Sequence, residues 1–265
     1  MSDRPIDGLL LDVDGVLAVS WEAIPGAVEA LSRLRQGRVP FRLMTNTTTL
    51  SRVRMAAALR DAGFDVEPDD ILNATMATAQ YLRTHHPGAG CFLLGIDETA
   101  DDLEGVELVE EDAEVVVIAG ADEAFHFDNI NRAFRMIMAG AEMVAMHKNL
   151  YWMEADGLSL DAGAYVLGME AASGRTAAVA GKPAPAFFES ALEALGLPAE
   201  RVAMVGDDID ADVLAAQRFG MTGILVRTGK YLPDAIAAAD GEPDIVVDSI
   251  ADVPDMVASR RARSG

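Results

Sequence analysis

Short runs of apolar residues alternate with segments of helical periodicity along most of the chain. Residues 8–11 form an unbroken apolar run, which is typical of a strand buried on both faces of a sheet. Strands that alternate with helices indicate βα units built around a parallel sheet. The other segments with this strand-like character are 41–44, 176–180, 201–205, 223–226 and 244–247.

The helical segments between these strands have recognisable ends. Residues 25–34 place apolar side chains on one face, as a helix packed on a sheet requires. Residues 51–62 end at Gly63, which suits a helix C-cap. Residues 185–195 begin with Pro185, a residue favoured in the first helical turn. Together the segments predict a Rossmann-like α/β fold with a parallel sheet.

The middle of the chain contains a second alternating set. Strands are predicted at 91–94, 115–119 and 143–146, and an amphipathic helix at 127–139. This set carries no cluster of carboxylates, in contrast to the flanking segments. We therefore predict a separate α/β module inserted into the first one, with domains at 1–77, 78–176 and 177–265.

Composition excludes several classes of protein. The chain has 265 residues, 51% of them apolar, and a formal charge of −22. That charge argues against a nucleic-acid or anionic-membrane partner. A single cysteine excludes a disulfide framework. Without an apolar run of about 18 residues or a signal-like N-terminus, we expect a soluble cytoplasmic protein with no membrane partner.

Polar residues follow three of the predicted strands directly. Ligand sites in open parallel sheets lie at the carboxyl ends of the strands, so these residues are expected to meet at one site. Asp12 and Asp14 are two residues apart and point to the same side of an extended chain. The full set is Asp12 and Asp14 after 8–11, Thr45 and Asn46 after 41–44, and Asp207, Asp208, Asp210 and Asp212 after 201–205.

Converging carboxylates repel one another unless a cation lies between them. Mg²⁺ prefers oxygen ligands and substrate phosphate, and an aspartate beside it can attack phosphorus while a second aspartate transfers protons. The phosphoryl group also needs a positive partner and hydrogen-bond donors. Of only three lysines in the chain, Lys182 lies between a predicted strand and a predicted helix. The pattern therefore indicates phosphoryl-group chemistry.

These residues match, in order, the four motifs of a known superfamily. The chain resembles the haloacid dehalogenase-like (HAD) hydrolases. The long insertion between the second and third motifs is similar to the C2-type cap of the NagD-like subfamily IIA. Stretches such as MHKNLYW and GMTGILVRTGKY resemble the phospholysine phosphohistidine inorganic pyrophosphate phosphatase group. The motifs are Asp12-Val13-Asp14-Gly15-Val16, Thr45-Asn46, Lys182-Pro183 and Gly206-Asp207-Asp208 with Asp212.

The resemblance implies an α/β core of Rossmann type with an inserted C2 cap, and a Mg²⁺-dependent phosphatase that acts through an aspartyl-phosphate. The cap is expected to select a small phosphorylated substrate and to mediate a homodimer. The implied roles are nucleophile and metal ligand for Asp12, general acid/base and metal ligand for Asp14, phosphoryl binding for Thr45 and Asn46, charge neutralisation for Lys182, metal ligation for Asp207, and support for Asp208 and Asp212.

Two other functions stay open at this point. A phosphotransferase would use the same intermediate, and a catalytically idle HAD-fold protein would only bind a ligand. In the inserted module, Tyr151 and Trp152 either pack in its core or face the substrate. The four histidines, of which His147 is one, are expected on the surface or packed within the cap. Asp210 is expected to cap a helix or to lie on the surface.

Overall fold

The computed structural model describes residues 4–154 and 157–262. The described chain forms an α/β fold with two parallel sheets and two short hairpins. In chain order the strands are β1 (Gly8–Leu11), β2 (Ala18–Val19), β3 (Glu22–Ala23), β4 (Phe41–Thr45), β5 (Ile71–Asn73), β6 (Gly90–Leu94), β7 (Glu107–Leu108), β8 (Val115–Ile118), β9 (Glu142–Ala145), β10 (Tyr151–Glu154), β11 (Gly157–Leu160), β12 (Ala178–Val179), β13 (Val202–Gly206), β14 (Thr222–Val226) and β15 (Ile245–Val247).

Helices connect most of these strands, and glycine or proline marks several of their ends. Gly174 and Gly196 follow two helices in the left-handed conformation, and Pro185 begins the helix that Gly196 ends. In chain order the helices are α1 (Ala27–Gln36), α2 (Arg52–Asp61), α3 (Ala74–His85), α4 (Phe127–Ala139), α5 (Ala162–Ser173), α6 (Pro185–Leu195), α7 (Ala215–Arg218), α8 (Pro233–Ala238) and α9 (Val253–Ala262).

The first sheet has the order β15-β14-β13-β1-β4-β5 with all neighbours parallel. Its central strand β1 is buried along its whole length, as the apolar run predicts. Helices α1, α2 and α9 pack on one face of the sheet, whereas α6 and α7 pack on the other. The chain order reverses beside β1, so the carboxyl ends of β1, β4 and β13 meet at the crevice where such sheets bind ligands.

The second sheet has the order β12-β9-β8-β6-β7, and its strands are also parallel. Helices α4 and α5 cover one face and α3 covers the other. Strand β12 corrects one expectation, because the segment 176–180 was assigned to the first sheet and instead pairs with β9. The domain boundaries at 77/78 and 176/177 stay a prediction, and this pairing favours ending the inserted unit near residue 180. The outermost predicted ends, residues 1 and 265, lie outside the described residues.

The two sheets meet around the crevice at the end of β1. Residues from the loops after β1, β4 and β13 line it on one side, and residues after β8 and β9 line it on the other. Within residues 4–154 and 157–262, no helix has the length and apolar character needed to cross a membrane.

Candidate active site

The three predicted strand ends converge on a single cleft between the two sheets. The cleft encloses about 820 Å³ of empty space, a volume that includes solvent at its open mouth. The predicted site residues that line it are Asp12, Asp14, Thr45, Asn46, Lys182, Asp207, Asp208 and Asp212.

A buried ion-pair cluster lies at the floor of this cleft. The Lys182 Nζ atom lies 2.8 Å from Asp12 Oδ1 and 2.7 Å from Asp212 Oδ1. The Val13 backbone N–H donates to the same Asp12 Oδ1 at 2.8 Å. Asp12 Oδ2 has no hydrogen-bond partner in the part of the chain that the structure describes. The cluster therefore fixes one oxygen of Asp12 and leaves the other available.

Asn46 holds Lys182 in place through its backbone. The Lys182 N–H donates to Asn46 Oδ1 at 2.9 Å, and Asn46 Nδ2 donates to the Lys182 carbonyl at 3.0 Å. The Lys182–Pro183 peptide bond is cis. These contacts engage Asn46 Oδ1 and one of the two N–H groups on Nδ2, so the second N–H group is the part of the side chain still able to donate to a phosphoryl group. The predicted phosphoryl-binding role of Asn46 stays a prediction, and its observed contacts are those of a positioning residue.

Asp14 is oriented by hydroxyl groups from the last residue of β4 and from the loop that follows it. Thr47 Oγ1 donates to Asp14 Oδ2 at 2.6 Å, and Thr45 Oγ1 lies 3.4 Å from the same oxygen. The Thr47 backbone N–H donates to Thr45 Oγ1 at 3.0 Å. Thr47 was not among the predicted residues, although the run Thr45-Asn46-Thr47 was visible as a signal.

Asp207 lies in a tight pocket formed by two glycines. A Cβ atom at Gly15 or at Gly229 would come within 2.0 Å of Asp207 Oδ2, and both residues have a positive φ. The Lys230 N–H donates to Asp207 Oδ2 at 2.7 Å. Asp207 Oδ1 is buried and has no hydrogen-bond partner within the described residues. A buried carboxylate oxygen of this kind costs free energy unless a ligand binds it.

Burial and mutual repulsion raise the pKa values of the carboxyl groups in the cleft. Burial raises the pKa of Asp12, although Lys182 opposes the shift. Burial also raises the pKa of Asp207 well above its usual range, and the charges of Asp12 and Asp212 add to the effect. For Lys182, burial favours the neutral amine, but Asp12 and Asp212 outweigh it and raise the pKa. The cluster thus has an excess of negative charge that a bound cation would relieve.

Three carboxylates meet the geometric requirement for holding a metal ion. Oxygen atoms of Asp12, Asp207 and Asp212 lie within 4.8 Å of one another. Both Asp212 oxygens are already engaged, one by Lys182 and the other by the Asp208 N–H at 3.3 Å. Asp12 Oδ2 and Asp207 Oδ1 are therefore the oxygens best suited to a hard divalent cation.

The two other aspartates after β13 have structural contacts. Asp208 Oδ1 accepts hydrogen bonds from the N–H groups of Asp210 and Ala211 at 3.1 and 3.0 Å. It thereby caps the π-helical turn Ile209–Leu214. Asp210 is exposed, which agrees with the surface role that was one of its two predicted alternatives. The helix-capping role belongs to Asp208.

The cleft is also lined by His147 and Lys230, which the sequence did not identify as site residues. His147 is buried in the wall, in agreement with packing within the inserted unit, and also lines the cleft. Its Nδ1 atom lies 3.9 Å from Asp161 Oδ2. Trp152 lines the same wall, whereas Tyr151 is exposed. Lys230 lines the cleft from the loop after β14.

Comparisons with known proteins find hydrolases and phosphatases. A family model described as haloacid dehalogenase-like hydrolase matches residues 9–109, and a HAD-hydrolase-like model matches residues 179–253. The human phospholysine phosphohistidine inorganic pyrophosphate phosphatase is 36% identical over 258 residues, which cover 95% of this chain and 94% of that protein. The human haloacid dehalogenase-like hydrolase domain-containing protein 2 is 39% identical over 228 residues, 86% of each chain.

Solved structures of similar fold include other phosphatases. The p-nitrophenyl phosphatase from Archaeoglobus fulgidus superposes with a TM-score of 0.87 at 31% identity, covering 95% of this chain and 99% of that one. NagD from E. coli K-12 superposes with a TM-score of 0.83 at 28% identity, covering 94% and 98% of the two chains. The similarity thus extends over both sheets and the cleft between them.

Proposed function

The chain belongs to the haloacid dehalogenase-like hydrolases and is a phosphatase of their NagD-like subfamily, and from this premise we propose that it hydrolyses a small phosphorylated substrate with Mg²⁺ through an aspartyl-phosphate on Asp12. The observation that carries the proposal is the convergence of Asp12, Lys182 and Asp207 in one buried cluster with a free oxygen on both aspartates. Phosphorylated compounds are the substrates indicated by the names of its relatives.

The donor atoms in the cleft fit Mg²⁺. Asp207 Oδ1 is buried without a partner, and Asp12 Oδ2 is unengaged among the described residues. Asp12 and Asp207 would hold the ion, together with the backbone carbonyl of Asp14 that the family resemblance implies. When bound, the ion would supply positive charge to the phosphoryl group, where catalysis needs it most.

The residues of the chain can perform both half-reactions. In the first, a carboxylate oxygen of Asp12 attacks phosphorus, the bond to the leaving oxygen breaks, and Asp14 donates a proton to that oxygen. In the second, Asp14 takes a proton from water, the water oxygen attacks phosphorus, and the bond to Asp12 breaks to release phosphate. The hydroxyls of Thr45 and Thr47 orient Asp14 through both steps.

Lys182 positions the nucleophile and favours its ionised form. Its charge opposes the rise that burial causes in the pKa of Asp12. Its position depends on Asp212 on one side and on the Asn46 amide on the other. We assign Lys182 to neutralisation of the transferring phosphoryl group, with Asp212 and Asn46 as positioning residues.

The unit built on the second sheet would act as the cap. It contributes His147, Trp152 and Asp161 to the cleft wall, where they face the space left for the leaving group. Closure of such a unit excludes water from the nucleophile during the first half-reaction. Formation of a homodimer through this cap stays a prediction.

The replacement Asp12→Asn tests the proposed nucleophile. We expect release of phosphate from p-nitrophenyl phosphate in the presence of Mg²⁺ to fall by about a thousandfold or more, because an amide cannot form the acyl-phosphate. The far-ultraviolet circular dichroism spectrum should stay unchanged. Asp210→Asn is the matched control, since Asp210 is an exposed aspartate on the same side of the molecule.

Two results would contradict the proposal. Retention of more than about a tenth of the activity in Asp12→Asn would remove Asp12 from the role of nucleophile. Failure of the wild-type protein to release phosphate from p-nitrophenyl phosphate and from a panel of phosphorylated metabolites would instead favour a protein that only binds its ligand.

A further inference from the structure

The cleft contains a lysine whose charge the proposed chemistry does not use. The chain has only three lysines. Lys148 pairs with Glu170 at 2.8 Å, and Lys182 pairs with Asp12 and Asp212. Lys230 forms no ion pair with any residue that the structure describes. In a protein with a net charge of −22, an unpaired cation beside the active centre calls for an explanation.

The loop that carries Lys230 is fixed to the active centre. The Lys230 N–H donates to Asp207 Oδ2, and the adjacent Gly229 lies so close to that oxygen that no side chain fits. Thr228 Oγ1 donates to the Gly15 carbonyl at 2.5 Å, which ties the loop to the turn after β1. These contacts fix the position of Lys230 relative to Asp12, because the turn after β1 and Asp207 also surround the nucleophile.

Lys230 lines both the active-site cleft and a groove beside it. It lines the cleft that contains Asp12, and it also lines an adjoining groove together with Tyr151, Tyr231 and Leu232. A substrate whose phosphoryl group lies at Asp12 can therefore reach Lys230 with another part of its structure.

The other basic side chains near the cleft do not duplicate this charge. Among the described residues that line it, Lys182 and Lys230 are the lysines and no arginine is present. Burial lowers the pKa of His147, and the charges of Lys230 and Lys182 lower it further against the opposing effect of Asp161. His147 is therefore neutral near pH 7.

We propose that Lys230 is a specificity-determining residue that binds a second anionic group, a carboxylate or a phosphate, on the leaving-group side of the substrate. This inference rests on the proposed phosphatase function. A charged hydrogen bond in a partly buried cleft discriminates strongly against an analogue that lacks the anion. The preferred substrates would therefore carry two anionic groups, one of which is transferred.

Three probes separate the sources of the second charge. Ethyl phosphate has none, phosphoglycolate has a carboxylate in the place of the methyl group, and pyrophosphate has a second phosphate. In Lys230→Met we expect kcat/KM for one or both doubly anionic probes to fall about tenfold or more relative to ethyl phosphate. The loss should appear mainly in KM, and Lys230→Arg should restore part of it. Lys148→Met is the control that removes the same charge from a lysine already paired with Glu170.

Binding to an inactive protein distinguishes this inference from the proposed function. Calorimetry would compare phosphoglycolate, pyrophosphate and ethyl phosphate on Asp12→Asn and on Asp12→Asn/Lys230→Met. Selective loss of affinity for a doubly anionic probe in the double variant would support the role of Lys230 even if turnover were absent. Equal losses for all three probes, in binding or in kcat/KM, would overturn it and assign Lys230 to the transferred phosphoryl group. No loss for any probe would overturn it as well.

Discussion

Among single residues, Asp212 shows how burial can connect the active site to the stability of the whole fold. Burial raises the pKa of Asp212 to about 7 against the opposing charge of Lys182. Its ordinary value, which applies to the unfolded chain, is 3.8. Between these values the folded protein binds a proton that the unfolded chain does not bind. The contribution of Asp212 to the free energy of unfolding therefore decreases as the pH rises from about 4 to about 7.

The variant Asp212→Asn should reduce this pH dependence. In metal-free buffer, we expect the free energy of unfolding of the wild type to fall between pH 5 and pH 7.5 by on the order of 2 kcal/mol more than that of the variant. Urea denaturation at the two pH values, with a chelator present, measures the difference. Asp210→Asn, an exposed neighbour, should follow the wild type. Parallel pH profiles of wild type and Asp212→Asn would contradict the assignment.

The site residues that could be predicted from the sequence are those that a local pattern marks. Asp12, Thr45 and Asp207 follow buried strands directly, so the parallel sheet alone brings them together. His147 and Lys230 enter the cleft through the docking of the second sheet and the return of the loop after β14, and neither is encoded by a local pattern. The scarcity of lysine marks Lys230 as much as Lys182, but only Lys182 was predicted as a site residue.

Among structural elements, the loops after β1 and β14 pack closely against each other around Asp207. Gly229 has a φ of 60°, and an added Cβ would lie 2.0 Å from Asp207 Oδ2 and 2.5 Å from the Gly15 Cα. Gly196, at the end of α6, has a similar φ of 66° but nothing within 4 Å of an added Cβ. The two glycines thus share a conformational requirement and differ in their surroundings.

Replacing each of these glycines by alanine separates strain from crowding. Gly196→Ala should cost about 1–2 kcal/mol of unfolding free energy, from the left-handed conformation alone. Gly229→Ala should cost more and should also lower kcat at least tenfold, because Asp207 must move. Chemical denaturation and phosphate release measure the two effects. Equal stability losses with unchanged activity in Gly229→Ala would show that the loop accommodates the methyl group.

The element boundaries show where sequence patterns are sufficient and where they fail. The apolar run at β1 predicts a strand within one residue, because every side chain in it is buried. Helix α3 was not predicted, since its buried positions include Ala74, Thr75, Thr78 and Ala79, which form no strongly apolar stripe. Strand β12 was predicted but assigned to the wrong sheet, because its partner β9 lies more than thirty residues away.

At the scale of the whole molecule, the surface and the cleft differ in their balance of charge. This difference explains how so acidic a protein can act on an anion. The chain has 43 acidic and 21 basic residues. Many of the basic residues form exposed ion pairs, such as that of Arg227 with Asp248, which contribute little to stability. In the cleft, the carboxylates instead favour a divalent cation, and Lys182 and Lys230 add positive charge. The local balance at the site therefore differs from the net charge.

The two sheets are joined on one side of the cleft by buried polar contacts. The Arg52 N–H and the Asn73 amide both donate to Asp102 Oδ2 at 2.7 Å, so Asp102 caps the first turn of α2 from the segment Asp97–Asp102 that follows β6. Nearby, Thr48 Oγ1 accepts a hydrogen bond from the Gly120 N–H at 2.7 Å. These contacts connect the loop after β4, which carries Thr47, to the second sheet.

Asp102→Ala should weaken this junction specifically. We expect a loss of about 2–4 kcal/mol in the free energy of unfolding, because one buried and two partly buried donors lose their acceptor. Hydrogen exchange should become faster in residues 48–55 and 95–103 and stay unchanged in β14 and β15, which lie at the far edge of the first sheet. Denaturation and hydrogen-exchange mass spectrometry measure the two effects.

Asp101→Ala is the matched control, because Asp101 precedes Asp102 in the same segment and is exposed. It should change neither stability nor exchange by a measurable amount, since exposed surface substitutions usually stay within about 0.5 kcal/mol. If both variants lost the same stability, or if exchange in Asp102→Ala rose uniformly across both sheets, the junction would not be a separate point of attachment. Selective exchange would instead show that the second sheet is held over the cleft by a contact distinct from the catalytic cluster, so that closure and chemistry can be altered independently.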